Sequence, residues 1–177
     1  NKKNLNILPN TCRLRMADLD YPYRQWFTVH LDSWGMTQVD VRCELSKLER
    51  RIKRAESIRG LVRQRKAAEE LRLYCRSERL SIEIENEAVK LRIQADVFIG
   101  EMLIEWGTDT DKSWPYAALT NSQIGLSYNQ VCMCRKLAKI PSDVVREYFA
   151  IANCLGHRLG SKGLLQYANS DGQIWLA

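Results

Sequence analysis

From Thr37 to about Trp106 the chain contains no proline and only two glycines, Gly60 and Gly100. The same stretch is dense in Glu, Lys, Arg, Leu and Ala, so it is expected to be helical almost throughout, with an interruption at Gly60. Leu45, Leu48, Ile52, Ala55 and Ile58 recur at steps of three and four and form one apolar seam. After Gly60, Val62, Ala67, Leu71 and Tyr74 resume a helical pattern. The polar run Arg76-Ser77-Glu78-Arg79 is a place to turn. A further seam runs through Leu80, Ile84, Ala88, Leu91, Ala95, Phe98 and Met102. Narrow stripes of this kind suit helices packed on one another, so residues 37–106 are expected to form a long antiparallel, coiled-coil-like arm.

The arm is bounded on both sides. Gly107-Thr108-Asp109-Thr110-Asp111-Lys112-Ser113 is a polar linker, and Pro115 blocks helix continuation. Residues 1–36 hold Pro9, Pro22 and the aromatic cluster Tyr21, Tyr23, Trp26, Phe27 and Trp34, read as a short helix and loops packing onto another surface. Residues 114–177 form a third segment, and the expected fold class is all-α. No uncharged apolar run reaches the roughly 18 residues of a membrane span. The start, Asn1-Lys2-Lys3-Asn4, has neither an initiator Met nor a following hydrophobic stretch, so a longer parent chain is expected rather than a secretory signal.

The net charge of +6 is unevenly spread. Residues 42–79 carry 13 basic and 6 acidic groups, for +7, whereas residues 80–112 carry 3 and 8, for −5. Residues 113–177 carry 6 and 3, for +3. This asymmetry points to a polyanionic partner, while a hairpin would set the basic stretch against the acidic one and cancel part of its field.

Little in the sequence points to catalysis or to a metal. The six cysteines fall largely inside helical stretches with no CxxC pair, which suits a reduced, cytoplasmic protein. Cys132 and Cys134 lie two apart on a helix and point about 200° from one another, so no zinc site and no cofactor are expected. His30 and His157 lack patterned partners. Gly156, Gly160 and Gly163 follow no strand and carry no Walker lysine–serine pair, so they do not make a phosphate-cradling loop. They are read instead as a turn leading into a helix that begins near Ser161. The expectation is a non-enzymatic protein.

The most specific segment is LTNSQIGLSYNQVCMCRKLAKIP, residues 119–141. Thr120 can cap a short helix, Gly125 supplies a tight turn, and Ser127 caps a second helix that Pro141 limits. That helix is expected to bury Val131, Cys134, Leu137 and Ala138 and to expose Tyr128, Asn129, Gln130, Arg135, Lys136 and Lys139. Two short helices around a glycine turn make a helix-turn-helix, whose second helix meets base edges with its amino-terminal end. Asn129 and Gln130 are the candidates for base contacts, because a carboxamide can bond bidentately to adenine. Thr120, Ser127, Arg135, Lys136 and Lys139 are the candidates for phosphate positioning, with Tyr128 beside them.

This segment, with SDVVREYF after it and LGSKGLLQYA further on, resembles the helix-turn-helix of ParB and KorB partition proteins. It is similar more closely still to a helical family of phage and plasmid proteins, in which a long helix of pattern eneA-x-x-lRixA-x-x-xiGemL precedes the same short unit. Here that helix reads Glu85-Asn86-Glu87-Ala88 through Ala95, then Ile99-Gly100-Glu101-Met102-Leu103. The resemblance spans about Ile58 to Tyr167. Residues 1–57 have no counterpart in it, and the arm stands where partition proteins carry a CTP-binding domain, so nucleotide-driven clamping is not implied. What the resemblance implies is a regulatory protein of a phage or other mobile element, bound to double-stranded DNA. A homodimer through the arm is expected, because one short recognition helix reads few base pairs. The alternative is a helical adaptor or inhibitor with a protein partner, docking on a nucleic-acid enzyme, or an accessory domain of a DNA methyltransferase or replication protein.

Overall fold

The computed structural model describes residues 36–105 and 125–170. The aromatic cluster of residues 1–35, the linker 107–113 and the short helix expected from Thr120 lie outside them. The described residues form six α-helices and no strand: α1 (Gln38–Lys53), α2 (Ile58–Ser77), α3 (Ile82–Glu105), α4 (Tyr128–Ala138), α5 (Ser142–Cys154) and α6 (Ser161–Asn169). The all-α class is therefore observed.

Local chemistry sets the helix ends. Thr37 and Asp40 form a reciprocal capping box at the start of α1. The helical run that starts at Gln38 breaks at residues 54–57 and not at Gly60. Ser57 caps α2 by accepting the Gly60 N–H at 3.1 Å, which places Gly60 inside the first helical turn. At the other end of α2, the Leu80 N–H bonds the Cys75 carbonyl at 2.8 Å and the Arg79 N–H bonds the Arg76 carbonyl at 3.3 Å. This is a Schellman closure with Arg79 at φ 53°, a left-handed position that glycine usually takes. The chain then reverses into α3, as the Arg76–Arg79 run suggests.

Among the described helices α3 is the central one. Ile84, Ala88, Leu91 and Ala95 of the expected seam are buried, but so are Val89, Ile93, Ile99, Gly100 and Leu103 on its other sides. α2 lies antiparallel along one flank of α3, α1 packs against both, and α4 crosses a further face. Val89 and Ile93 enter a core with Leu137, Tyr148, Phe149, Ala152, Leu159, Leu164 and Tyr167, contributed by α4, α5, α6 and the turn before α6. Fully burying side chains of this size stabilises by about 1.5–3 kcal/mol each, so the C-terminal helices are held onto α3 by a shared apolar core. Tyr148 stacks at tilted geometry on Phe149 and Tyr167, with centroids 6.0 and 5.6 Å apart.

Polar residues of α3 form a second system of contacts. Glu85, Arg92 and Asp96 lie seven and eleven positions apart and therefore share one helix face. Glu85 meets Arg72 of α2 and Arg158 of the α5–α6 turn. Arg92 meets Glu69 of α2 at 3.3 Å and the Ser161 hydroxyl at 3.2 Å. Asp96 accepts from Arg65 of α2 and, at 3.4 Å, from the Cys134 thiol of α4. The basic and acidic stretches thus do pair, through Arg65–Asp96 and Arg72–Glu85. Arg42, Arg50, Arg51, Arg54, Arg59, Arg63, Lys66, Arg76 and Arg79 remain exposed.

Candidate nucleic-acid interface

α4 begins with an ordered approach. Gly125 adopts φ 73°, a conformation that side chains rarely tolerate, and turns the chain toward the helix. Ser127 accepts the Gln130 N–H through its hydroxyl at 3.3 Å, while the Gln130 carboxamide oxygen accepts the Ser127 N–H at 2.8 Å. Leu126, just before the cap, and Val131, at the fourth helical position, are both 1% exposed, which is the arrangement of a hydrophobic staple. Cap, staple and glycine turn fix the direction in which the helix leaves.

The inner face of α4 is held against α3. Val131, Cys134 and Leu137 are buried. A Cβ on Gly100 would overlap the Cys134 carbonyl and lie 2.8 Å from the Ala138 Cβ, so the two helices touch backbone to backbone. Ala138, expected to be buried, is half-buried beside that crossing. Burial pushes the Cys134 thiol far up from its ordinary range, and the neighbouring Asp96 carboxylate adds to the effect. The thiol therefore serves as a hydrogen-bond donor to Asp96 and not as a nucleophile.

The outer face carries most of the residues singled out from the sequence. Ser127, Tyr128, Asn129, Lys136 and Lys139 are exposed, and Gln130 and Arg135 are half-buried. Asn129 and Lys136 lie seven positions apart, about two turns along one line of the helix. Tyr128, Arg135 and Lys139 make the adjoining line, so the outward surface runs for about 16 Å from the cap to the last turn. Gln130 spends its carboxamide oxygen on the cap. A bidentate bond to adenine uses both ends of a carboxamide, which leaves Asn129 as the amide placed for that task. Thr120 lies outside the described residues.

Asn86 was not among the residues singled out, yet it fastens the α5–α6 corner to α3. Its Nδ2 donates to the Asn153 Oδ1 and the His157 carbonyl, each at 2.9 Å, and its Oδ1 accepts the Leu159 N–H at 2.9 Å. Gly156 at φ 65° closes α5 by the same Schellman pattern that ends α2, with the His157 N–H on the Ala152 carbonyl at 2.8 Å. The pattern ENEA-x-x-LRIQA therefore has a structural content: Glu85, Asn86 and Arg92 make the polar fastening, and Ala88, Leu91, Ile93 and Ala95 fill the core between them.

Among the described residues no group of three His, Cys, Asp or Glu side chains is placed to hold a metal, and no helix is long and apolar enough to cross a membrane. No family model, curated protein or solved structure matches the chain.

Proposed function

We propose that this chain is a non-enzymatic, cytoplasmic protein that binds duplex DNA through α4 and regulates genes of a phage or other mobile element. The observation that carries the reading is the split character of α4. Its inner face is locked on α3 by Gly100, Cys134 and Leu137, while its capped end and outer face present Asn129, Lys136 and Lys139 to solvent. A rigidly held helix with an exposed carboxamide near its start and lysines further along fits the major groove, the lysines holding phosphates on either side. The resemblance of residues 119–141 to the partition-protein helix-turn-helix supplies the kind of partner. In this reading α1, α2 and the long α3 form the scaffolding and dimerising arm, and residues 114–177 are the DNA-reading unit. Two copies would present two α4 helices to half-sites about one helical turn apart.

The test is a duplex titration by fluorescence anisotropy at several salt concentrations, comparing the parent chain with a Lys136→Ala, Lys139→Ala variant. Loss of two phosphate contacts should weaken binding several-fold and reduce the slope of log K against log salt by roughly two. Identical curves for the two proteins would remove α4 from the interface.

A further inference from the structure

α1 and α3 leave a slot of about 160 Å³ between them, floored by the buried Leu45 and Leu91. α1 contributes Arg42, Ser46 and Glu49, at steps of four and three, so all three share one helix face. α3 contributes Glu87, Lys90 and Gln94, at steps of three and four, by the same rule. Arg42, Ser46 and Lys90 are exposed, and Glu49, Glu87 and Gln94 are half-buried, so the slot opens to solvent. In helical projection the slot side of α3 lies about 140° round from Val89, Ile93, Asp96 and Gly100, the residues that meet α4 and the C-terminal core. The slot is therefore separate from the candidate nucleic-acid interface.

The slot holds two cations and two carboxylates, yet they do not close on one another. Glu87 and Lys90 stand three residues apart, a spacing at which helical ion pairs form. Glu44 and Lys47, in the same order and spacing on α1, meet at 2.7 Å. Glu87 and Lys90 make no ion pair with each other or with any other described residue. Glu49 meets Lys53 at 2.7 Å through one carboxylate oxygen, at an exposed site where such pairs contribute little. Arg42 lies within electrostatic reach of the exposed Glu83, one turn before Glu87. The Ser46 hydroxyl donates to the Arg42 carbonyl at 2.9 Å, which leaves its oxygen to accept.

We propose that this slot binds a small zwitterion, a free α-amino acid, with its carboxylate held by Arg42 and Lys90 and its ammonium by Glu49 and Glu87. The chemistry of the lining selects the class. A lone anion such as phosphate would face two carboxylates, and a lone cation would face a guanidinium and an ammonium. A molecule that carries both charges uses all four groups. Ser46 accepts from the ammonium, the Gln94 carboxamide donates to the carboxylate, and Leu45 and Leu91 take the carbon skeleton. The volume of about 160 Å³ is well below the roughly 300–1,000 Å³ of drug-sized pockets, which limits the ligand to the size of a single amino acid. The bound molecule bridges α1 and α3.

The experiment records backbone amide shifts of the whole isotope-labelled chain during separate titrations with L-alanine, L-glutamine, sodium acetate and methylammonium chloride at constant ionic strength. The expected result is saturable shifts with at least one of the amino acids, centred on residues 42–49 and 87–94. Acetate and methylammonium each carry only one of the two charges and should bind at least about tenfold more weakly. Glu87→Gln and Lys90→Gln each remove a charge that no ion pair of the fold uses, so the chain stays folded, and each should weaken amino-acid binding about tenfold. Lys47→Gln, which removes an exposed charge outside the slot, should bind as the parent does. Five results would each overturn the proposal: saturation by neither amino acid, shifts centred elsewhere, acetate or methylammonium bound as tightly as an amino acid, parental affinity in both slot variants, or equal weakening by Lys47→Gln.

Discussion

Gly100 of α3 and Cys134 of α4 stand so close that the carbonyl of one occupies the place a Cβ would take on the other. The atoms in the way are backbone, which cannot rotate aside, so Gly100→Ala must push α4 off α3. The expected cost is about 1–3 kcal/mol, even after the gain in helix propensity that alanine brings. Urea denaturation measures it. Duplex binding should weaken alongside, because the outer face of α4 is aimed by this contact. Unchanged stability would mean that the helices do not meet at Gly100.

Asn86 gives a second test of how the C-terminal helices are held. Asn86→Ala removes the acceptor for the Leu159 N–H and the donor for the His157 carbonyl, and leaving a buried backbone donor unpaired costs about 1–3 kcal/mol by itself. Hydrogen exchange resolves the effect by residue. The Leu159 amide should lose protection in the variant well before the interior of α3 does. Asn153→Ala, which removes only the exposed partner, should have the smaller effect. Equal effects would contradict the placement of Asn86 as the central clamp.

Neighbouring carboxylates in α2 should respond to pH with opposite signs. At Glu69, burial raises the carboxyl pKa, but the Arg72 hydrogen bond and the charges of Arg92, Arg72 and Arg65 outweigh it and hold the group below its ordinary value near 4.5. Its ionised form therefore adds stability above that value, and the contribution is lost as the pH falls through the lower folded value. At Glu70 burial dominates, only partly opposed by Lys66, and the carboxyl is raised. Its ionised form subtracts stability, increasingly as the pH rises above the ordinary value. Thermal melts should show Glu69→Gln destabilising at pH 7 and Glu70→Gln neutral or mildly stabilising. Both differences should shrink toward pH 3. The same sign for both variants at pH 7 would refute the assignment.

The legible parts of this fold were those that neighbouring residues decide. Thr37, Ser127 and Pro141 mark helix boundaries through caps and a blocked N–H, and the structure places α1, α4 and α5 accordingly. The break between α1 and α2 falls at Ser57, whose hydroxyl accepts the Gly60 N–H, and not at Gly60 itself, because a glycine in the first turn costs little once that turn is capped. The polar face of α3 was hidden for a different reason. Glu85, Asn86 and Asp96 look like solvated residues beside an apolar seam, and their partners lie far away in sequence, Arg158 and Leu159 73 positions on and Cys134 38 positions on. No local periodicity reports such pairings. At the candidate site, the outward residues of α4 followed from helix geometry, but the diversion of the Gln130 oxygen to the cap needed coordinates.

Cysteine reactivity should follow the packing. Cys43 and Cys154 are exposed, whereas Cys75 and Cys134 are buried. Burial pushes both of the buried thiols up, each aided by a nearby carboxylate, Glu85 for Cys75 and Asp96 for Cys134. Iodoacetamide at pH 8 should label Cys43 and Cys154 quickly in the native protein, and Cys75 and Cys134 only after denaturant is added. Peptide mass spectrometry reads the order. Early labelling of Cys134 would mean that α4 opens from α3 under native conditions.

The central claim is that α4 reads duplex DNA, and selection from a pool of randomised duplexes by the intact chain tests it most directly. The account predicts enrichment of a short motif, present as two copies about one helical turn apart. It further predicts that Asn129→Ala relaxes the preference at one base pair, at a cost of roughly 1–3 kcal/mol in discrimination, while salt-sensitive binding to unrelated duplex is retained. A pool that stays random, or a motif that Asn129→Ala leaves unchanged at every position, would contradict it.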